Sequence, residues 1–143
     1  MTIRHASGVV LLDEEGKKVL LVTSLKLPGM WVFPKGGVEP NLTPEENAQK
    51  EMREEAGIAV QLHECVYDLD VQYAATEKLP ARIQHETYFR GTFLSYVDWE
   101  EFQLRKREWF EINEAAQMLP PHQIDVLRAA VESRSEALNT AGL

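Results

Sequence analysis

A helix whose two ends are both specified by the sequence lies near the middle of the chain. Thr43 is followed by Pro44 and, three residues on, by Glu46, which is the pattern of a capping box with a proline in the first turn. Gly57 readily adopts the left-handed conformation that commonly follows a helix C-terminus. The spacing therefore predicts a helix that begins after Thr43 and ends near Ala56.

Three glutamates, Glu51, Glu54 and Glu55, crowd into the last turn of this predicted helix. At about 100° per residue they fall within roughly one third of the helix circumference, so they point the same way. Two unit charges about 4 Å apart repel by roughly 1 kcal/mol in water and about 4 kcal/mol at an effective dielectric near 20. The negative helix pole adds roughly 0.3–1 kcal/mol per exposed carboxylate. Such a run is also typical of a solvated face, but a divalent cation would turn the repulsion into binding.

Strand and turn signals surround this helix on both sides. Predicted strands lie on either side of a turn at residues 13–17, at 31–33, within 58–73, along 82–90 and at 108–112. A short helix is predicted at 113–119 and a last one after Pro121, with a tail that frays from about residue 133. Strands before, between and after helices predict an α/β fold with a mixed sheet, formed by residues 1–143 as a single domain.

The composition argues against several classes of protein. A formal net charge of −8 argues against strong nucleic-acid binding and against an anionic membrane surface, because counterion release requires a basic surface. The longest purely apolar stretch, Val9 to Leu12, is too short to cross a bilayer, and no signal-type core follows the first residues, so we expect a cytoplasmic protein. The single cysteine, Cys65, excludes an internal disulfide and is expected to be a buried strand residue.

From Gly36 to Ile58 the sequence resembles the Nudix hydrolases. Their box runs Gly, five residues, Glu, seven residues, Arg-Glu, an aliphatic residue, any residue, Glu-Glu, any residue, Gly and an aliphatic residue. The positions that match are Gly36, Glu51, Met52, Glu54, Glu55, Gly57 and Ile58. Two positions depart, with Leu42 in place of Glu and Lys50 in place of Arg, which bears on catalytic rate more than on metal binding. Lys50 lies one helical turn before Glu54 and can still hold it, without the bidentate fork of arginine.

Outside the box the chain is similar to the diphosphoinositol polyphosphate and diadenosine polyphosphate phosphohydrolase branch. The stretches that carry this similarity are "FPKGGVEP", "DWEEF", "RKREWFEI" and "MLPPH". The resemblance implies a Nudix-type α/β/α sandwich with a central mixed β-sheet, Mg²⁺ or Mn²⁺ as cofactor, and hydrolysis of a phosphoanhydride in a small phosphorylated substrate. A homodimer is left open.

Other activities remain open within and beyond this resemblance. The substrate could instead be ADP-ribose, a nucleoside triphosphate or capped RNA. Because of Leu42 and Lys50, a degenerate domain that binds a nucleotide without hydrolysing it is a third interpretation. The complete acidic triad favours catalysis.

By this resemblance, the acidic helix and the glycines before it form the catalytic and metal site. Glu51 and Glu55 are expected to be metal ligands, with Glu54 as a further ligand or as the general base. The backbone carbonyl of Gly36 completes the set, and the identity of the general base is left open. Gly36 and Gly37 let the backbone approach a substrate phosphate closely.

Basic residues outside the helix are candidates for binding substrate phosphates. Lys26 and Lys35 rank before Arg4, although each is also typical of a solvated surface cation. His122, at the start of the last helix, fits a substrate-binding role and a structural role equally well.

One face of the predicted strand at 82–90 is polar. Its residues are Arg82, Gln84, Glu86, Tyr88 and Arg90. Glu86 is the candidate for a metal ligand outside the box. Arg82 is a candidate for substrate binding, and the two arginines fit a substrate wall and an ordinary surface equally well.

Overall fold

The computed structural model describes residues 3–141. Within this range the chain forms β1 (Ile3–Leu11), β2 (Lys18–Thr23), β3 (Trp31–Val32), β4 (Lys35–Gly37), α1 (Pro44–Ala56), β5 (Ile58–Tyr73), β6 (Arg82–Tyr96), β7 (Arg107–Glu111), α2 (Ile112–Met118) and α3 (Pro121–Ala141).

Two β-sheets form the centre of the fold. The larger sheet has the strand order β4-β1-β6-β5, and it is mixed because β1 and β6 run parallel while the other neighbours run antiparallel. The smaller sheet has the order β3-β2-β7 and is antiparallel. Helices pack on both sides, which confirms the predicted α/β class and mixed sheet.

Successive residues of β1 point into two separate hydrophobic cores. Val9 packs in a core with Met52 of α1, whereas Val10 packs in a second core with Tyr88 of β6 and Leu127 of α3. Because neighbouring strand residues face opposite sides of a sheet, α1 and α3 cover opposite faces. Complete burial of each such apolar side chain stabilises the fold by about 1.5–3 kcal/mol.

Both ends of α1 lie where the sequence predicts them. The Glu46 N–H donates to Thr43 Oγ1 at 3.1 Å, and the Thr43 N–H donates to the Glu46 carboxylate at 3.0 Å, which completes the capping box. Gly57 has a φ of 66° and ends the helix after Ala56. The acidic residues of the last turn are therefore held at a defined helix end.

The edge strand β4 is not predicted by the sequence pattern. Lys35, Gly36 and Gly37 pair antiparallel with Gly8, Ser7 and Ala6 of β1. Two glycines in three residues give no alternating pattern, because they have no side chain to pack on either face. Pairing with β1 is what makes this segment extended.

The last helix is longer than expected. α3 continues as helix to Ala141, past residue 133, where the tail is expected to fray. Two contacts hold its second half: Ser133 Oγ donates to the Glu64 carboxylate at 2.6 Å, and Arg134 Nη2 donates to the Glu14 carbonyl at 2.7 Å. No helix within residues 3–141 is both long and apolar enough to span a membrane.

Cys65 is exposed in β5, so the expectation that it is buried is wrong. The pairing of β5 with β6 shifts register on both sides of this residue, between Leu62 and Cys65 and again between Cys65 and Tyr67. Such β-bulges redirect side chains, and their positions cannot be read from periodicity.

Candidate active site

The edge strand β4 lies directly against side chains of α1. The Gly36 carbonyl accepts a hydrogen bond from Asn47 Nδ2 at 3.0 Å, and the same nitrogen donates to Ser7 Oγ at 3.1 Å. A Cβ atom on residue 36 would overlap the Glu51 carboxyl group. Glycine at position 36 is therefore what lets the Glu51 carboxylate approach the backbone so closely.

Glu55 is a buried carboxylate with two donors. It is 6% exposed, and its Oε1 accepts from the Lys35 N–H at 3.0 Å. Its Oε2 lies 3.3 Å from Arg105 Nη2. Burial raises the pKa of Glu55 above its ordinary value, although Arg105 opposes that change. The protein thus keeps a carboxyl group in a place that disfavours its charge.

Glu51 and Glu54 complete the acidic end of α1. Burial, and then repulsion by Glu54, raise the pKa of Glu51. Glu54 Oε1 lies 2.5 Å from Lys50 Nζ, which also lies 3.5 Å from Glu39. The expectation that Lys50 holds Glu54 is therefore confirmed, and it does so as a point charge shared between two carboxylates.

Two residues of this site, Glu101 and Arg105, are assigned no role by the sequence analysis. Arg105 Nε binds Glu101 Oε1 at 2.6 Å while its Nη2 reaches Glu55. Repulsion by Glu101 contributes to the raised pKa of both Glu51 and Glu55, so its carboxylate lies in the same acidic group. The only signal in the sequence was that both residues lie in the stretches "DWEEF" and "RKREWFEI".

The segment after β6 also caps the C-terminus of α1. The last four carbonyls of the helix accept hydrogen bonds as follows: Arg53 from the Gly57 N–H, Glu54 from the Glu101 N–H, Glu55 from Trp99 Nε1, and Ala56 from Arg107 Nη1. Helix C-termini otherwise leave these acceptors without protein partners. The guanidinium of Arg107 also places positive charge at the negative pole of the helix, which offsets part of the repulsion.

The donor set of this acidic group fits a divalent cation. Glu51, Glu54, Glu55 and the Gly36 carbonyl offer only oxygen atoms, which Mg²⁺ and Mn²⁺ prefer. Within the part of the chain that the structure describes, no three carboxylate, imidazole or thiol side chains already form a metal-binding group. Lys50 holds Glu54 and Arg105 holds Glu55, whereas Glu51 interacts with the Glu55 carboxyl group.

Glu86 lies on the other face of the sheet. It is completely buried and accepts hydrogen bonds from Tyr88 Oη at 2.6 Å, Tyr73 Oη at 2.7 Å and Gln84 Nε2 at 2.7 Å. The Lys35 ammonium lies 3.5 Å away, and His122 Nε2 lies 3.8 Å away, too far for a hydrogen bond. Burial opposes ionisation, but the Lys35 ammonium and the three hydrogen bonds outweigh it and lower the pKa of Glu86. Its role as a metal ligand stays a prediction, and none of these contacts joins it to the glutamates of α1.

A group of cations surrounds Glu86. Partial burial, and then the charges of Lys35, Arg82 and Arg4, lower the pKa of Lys26. The four predicted phosphate-binding cations are therefore close enough to interact electrostatically. Arg82 is 8% exposed and stacks on the Tyr73 ring at 4.8 Å, so the interpretation of Arg82 as ordinary surface is wrong.

Two nitrogen atoms in this group have no protein partner. Among residues 3–141, Arg82 Nε and His122 Nε2 are buried without a hydrogen bond. Burial lowers the pKa of His122. Arg90, in contrast, binds the Glu64 carboxylate with Nε at 2.7 Å and does not join the group. Gly37 lies at the end of β4, beside Ala6 of β1.

A cavity of about 660 Å³ lies away from both groups. It is lined by the turn after β1, the second half of β6 and the end of α3, including Leu12, Phe93, Trp109 and Leu138. Of the residues that the sequence analysis weighs for the site, only Arg90 lines this cavity. The chemistry of the side chains, and not the size of a cavity, identifies the candidate site.

Curated relatives of this chain are phosphohydrolases. Diphosphoinositol polyphosphate phosphohydrolase 2 of Rattus norvegicus is 32% identical over 124 residues, which are 84% of this chain and 64% of that protein. Diphosphoinositol polyphosphate phosphohydrolase 3-alpha of Mus musculus is 34% identical over 124 residues, 84% of this chain and 71% of that protein. The chain thus spans about two thirds of the length of these relatives.

A solved structure and a family model match this chain as well. The crystal structure of the Ap4A hydrolase of C. elegans superposes with a TM-score of 0.68, covering 90% of this chain and 96% of that one at 23% identity, a likeness of fold. The model of the NUDIX domain matches residues 2–139. Since this match includes the acidic helix and nearly the whole chain, the protein belongs to the NUDIX domain family.

Proposed function

We propose that this protein is a metal-dependent pyrophosphohydrolase that cleaves a phosphoanhydride in a nucleoside diphosphate linked to a second group. The observation that carries this proposal is the acidic end of α1. There, Glu51 and Glu55 are held partly or wholly out of water, next to a glycine backbone, with pKa values raised by burial. Folding gains nothing from such an arrangement, whereas a divalent cation removes its cost.

Mg²⁺ or Mn²⁺ would be held by Glu51, Glu55 and the Gly36 carbonyl, with Glu54 in reach as a further ligand or as the base. When bound, the cation supplies neutralisation of phosphate oxygens and acidification of a water molecule. Side chains of the chain itself position these carboxylates: Arg105 contacts Glu55, and Lys50 contacts Glu54.

The cations around Glu86 would bind the phosphates. Arg82 Nε and His122 Nε2 are buried donors or acceptors without a partner, and such atoms are costly unless a ligand satisfies them. Lys35, Lys26 and Arg4 add positive charge to the same group. An attacking water oxygen would form a bond to one phosphorus and give its proton to a carboxylate of α1, while the P–O–P bond breaks and the leaving phosphate takes the electron pair.

Dinucleoside polyphosphates are the first candidate substrates. The buried Glu86 carboxylate lowers the net positive charge of the group of cations around it, and the chain as a whole carries a net charge of −8. Both charges favour substrates with fewer phosphates. Diphosphoinositol polyphosphates are the second candidate, because the relatives at 32% and 34% identity carry that name. ADP-ribose, nucleoside triphosphates and capped RNA would use the same chemistry.

Phosphate release from diadenosine polyphosphates, measured with Mg²⁺ and with EDTA, tests this proposal. We expect turnover only with the metal, and a fall of about 100-fold or more in kcat for Glu54→Gln and Glu55→Gln. Glu132→Gln, an exposed change on α3, serves as the matched control and should keep full activity. If a broad panel of diphosphates shows no metal-dependent turnover, the protein is a nucleotide-binding domain without hydrolytic activity.

Three further expectations belong to this proposal. The divalent metal should be detected by titration calorimetry with Mg²⁺ or Mn²⁺. The protein should reside in the cytoplasm. Sedimentation would decide between a monomer and a homodimer.

A further inference from the structure

Glu86 is a carboxylate that already accepts three hydrogen bonds from protein side chains, two of them at Oε2. Oε1 accepts from Tyr88 Oη, and Oε2 accepts from Tyr73 Oη and Gln84 Nε2 while lying 3.5 Å from Lys35 Nζ. A ligand of a catalytic metal must turn free lone pairs toward the ion. The surroundings of Glu86 are instead those of a fixed structural anion.

The position of Glu86 in β6 leads to the same conclusion. Glu86 and Tyr88 share one face of the strand, and Tyr88 Oη accepts from Gln123 Nε2 of α3 at 3.1 Å. Phe89 points to the opposite face, into the core that contains α1. The Glu86 carboxylate therefore lies on the side of the sheet away from Glu51 and Glu55.

Lys35 connects the two sides. Its backbone N–H donates to Glu55 Oε1 at 3.0 Å, while its ammonium, with a side chain only 19% exposed, pairs with Glu86. Lys35 is the first residue of β4, an edge strand of three residues that pairs with β1 on one side only and whose Gly36 carbonyl is held by Asn47. The next residue, Gly36, presents its carbonyl to the acidic end of α1.

We propose that Glu86 is a positioning residue that acts through Lys35. Pairing with β1 and the bond from Asn47 hold the Gly36 end of β4, and Glu86, by fixing the Lys35 ammonium, holds its first residue, so that the Lys35 N–H stays on Glu55. The consequence for catalysis rests on the proposed function, but the structural link itself does not, because it consists of contacts among the chain's own residues.

Hydrogen exchange in EDTA tests this link without any turnover. In Glu86→Gln, which keeps the shape and an acceptor oxygen, we expect the Lys35 amide to exchange at least about tenfold faster than in the wild type, because its acceptor Glu55 is no longer aligned. Amides of the β1–β6 ladder should be unchanged, as should the Lys35 amide in Glu132→Gln. Unchanged exchange of the Lys35 amide in Glu86→Gln overturns the proposal.

A double-mutant cycle separates positioning from metal binding. We expect Glu86→Gln to lower kcat/KM, and Glu86→Gln with Lys35→Met to be no slower than Lys35→Met alone, since both changes break one link. Lys35→Arg keeps the cation and should retain more activity than Lys35→Met. If the two losses multiply, and Glu86→Gln raises the Mg²⁺ concentration needed for half-maximal rate whether or not Lys35 is present, Glu86 is a metal ligand and the positioning role is wrong.

Thermal unfolding tests the pairing of Glu86 with Lys35 even if a variant is too unstable for kinetics. Lys35→Met leaves the buried Glu86 charge without its cation, so its Tm should fall, and adding Glu86→Gln should restore part of that fall. A double variant less stable than both single variants contradicts the pairing. If the protein shows no hydrolytic activity, the exchange and unfolding results still decide the role of Glu86.

Discussion

At the scale of single residues, the acidic end of α1 is held by cations that the box pattern does not contain. The Lys50 ammonium forms ion pairs with both Glu54 and Glu39. Arg105 bridges Glu55 and Glu101. A lysine ammonium holds one direction poorly, whereas the planar guanidinium of arginine can bind a carboxylate with two parallel hydrogen bonds. The orientation of the Glu54 carboxylate is therefore less well fixed than that of Glu55.

Replacing Leu42 and Lys50 by the residues of the box should fix the orientation of the Glu54 carboxylate better. We expect Leu42→Glu with Lys50→Arg to stabilise the productive position of Glu54 by about 1 kcal/mol, or roughly fivefold in kcat. Steady-state kinetics with a diadenosine polyphosphate would measure the change, with Lys50→Arg alone as the partial restoration. An unchanged rate would show that neither departure limits catalysis.

Removing Arg105 should cost stability as well as activity. Arg105→Gln removes the cation beside the buried Glu55, and because Glu55, whose pKa burial already raises, can respond by taking up a proton, we expect a loss of about 1–3 kcal/mol. Urea unfolding in EDTA would report the loss in the free energy of unfolding. Arg128→Gln, whose ion pair with Asp125 is largely exposed, is the matched control and should change stability by less than about 1 kcal/mol. Equal losses in the two variants would rule out a special role for Arg105.

The sequence predicts the three glutamates correctly because helical spacing is a local property. It does not predict Glu101 or Arg105, because these residues reach α1 only through the fold, with Arg105 lying 50 positions after Glu55. For Glu86 the strand alternation correctly predicts a shared face with Arg82 and Tyr88, but burial and partners decide what that carboxylate does. Local pattern thus predicts which residues face together, and tertiary contacts decide their chemistry.

At the scale of the elements, α1 depends on a segment that is distant in sequence. Its N-terminus is closed by its own capping box, whereas three of its last four carbonyls accept hydrogen bonds from Trp99, Glu101 and Arg107. The start of the helix could therefore be predicted from the sequence, but the partners of its end could not. The edge strand β4 is likewise defined by its neighbour, since its own residues carry no strand pattern.

The far end of the β5–β6 hairpin should respond to pH. His85 Nδ1 lies 2.8 Å from Asp70 and Nε2 lies 3.2 Å from Asp68, and the hydrogen bond with Asp70 raises the pKa of His85. A raised pKa in the folded state means that the stabilisation is complete below the ordinary histidine pKa of about 6.5. It is lost as the pH rises through the higher value that His85 has in the folded protein.

Chemical denaturation between pH 5 and pH 9 would measure this effect. The free energy of unfolding of the wild type minus that of His85→Gln should decrease as the pH rises from about 6.5. The size is modest, because the carboxylates are more than half exposed and solvent screens the pair. A difference that is constant with pH, or that grows as the pH rises, would contradict this prediction.

At the scale of the whole molecule, the two cores meet at the larger sheet. β1 and β6 contribute side chains to both cores, so neither core can lose its packing without disturbing the sheet that it shares with the other. The α/β class was predictable from the order of strands and helices. The parallel pairing of β1 with β6 was not, because it joins residues about 80 positions apart and leaves no local signal.

We expect the two cores to unfold in a single transition. Trp31 packs against the core on the α3 side and Trp109 against the core on the α1 side, so each reports on one of them. Variants that keep only one of these tryptophans, with Phe at the other tryptophan positions, should show the same urea midpoint by fluorescence and by circular dichroism. Separate midpoints would show that residues 1–143 do not behave as one domain.

The capped end of α1 has a consequence for engineering. Since the helix owes its last hydrogen bonds to Trp99, Glu101 and Arg107, the acidic group is a discontinuous unit and not a portable peptide. Grafting residues 43–57 onto another scaffold would transfer the carboxylates without the groups that make their crowding tolerable. A transplant would need residues 99–107 as well, held at the same distance.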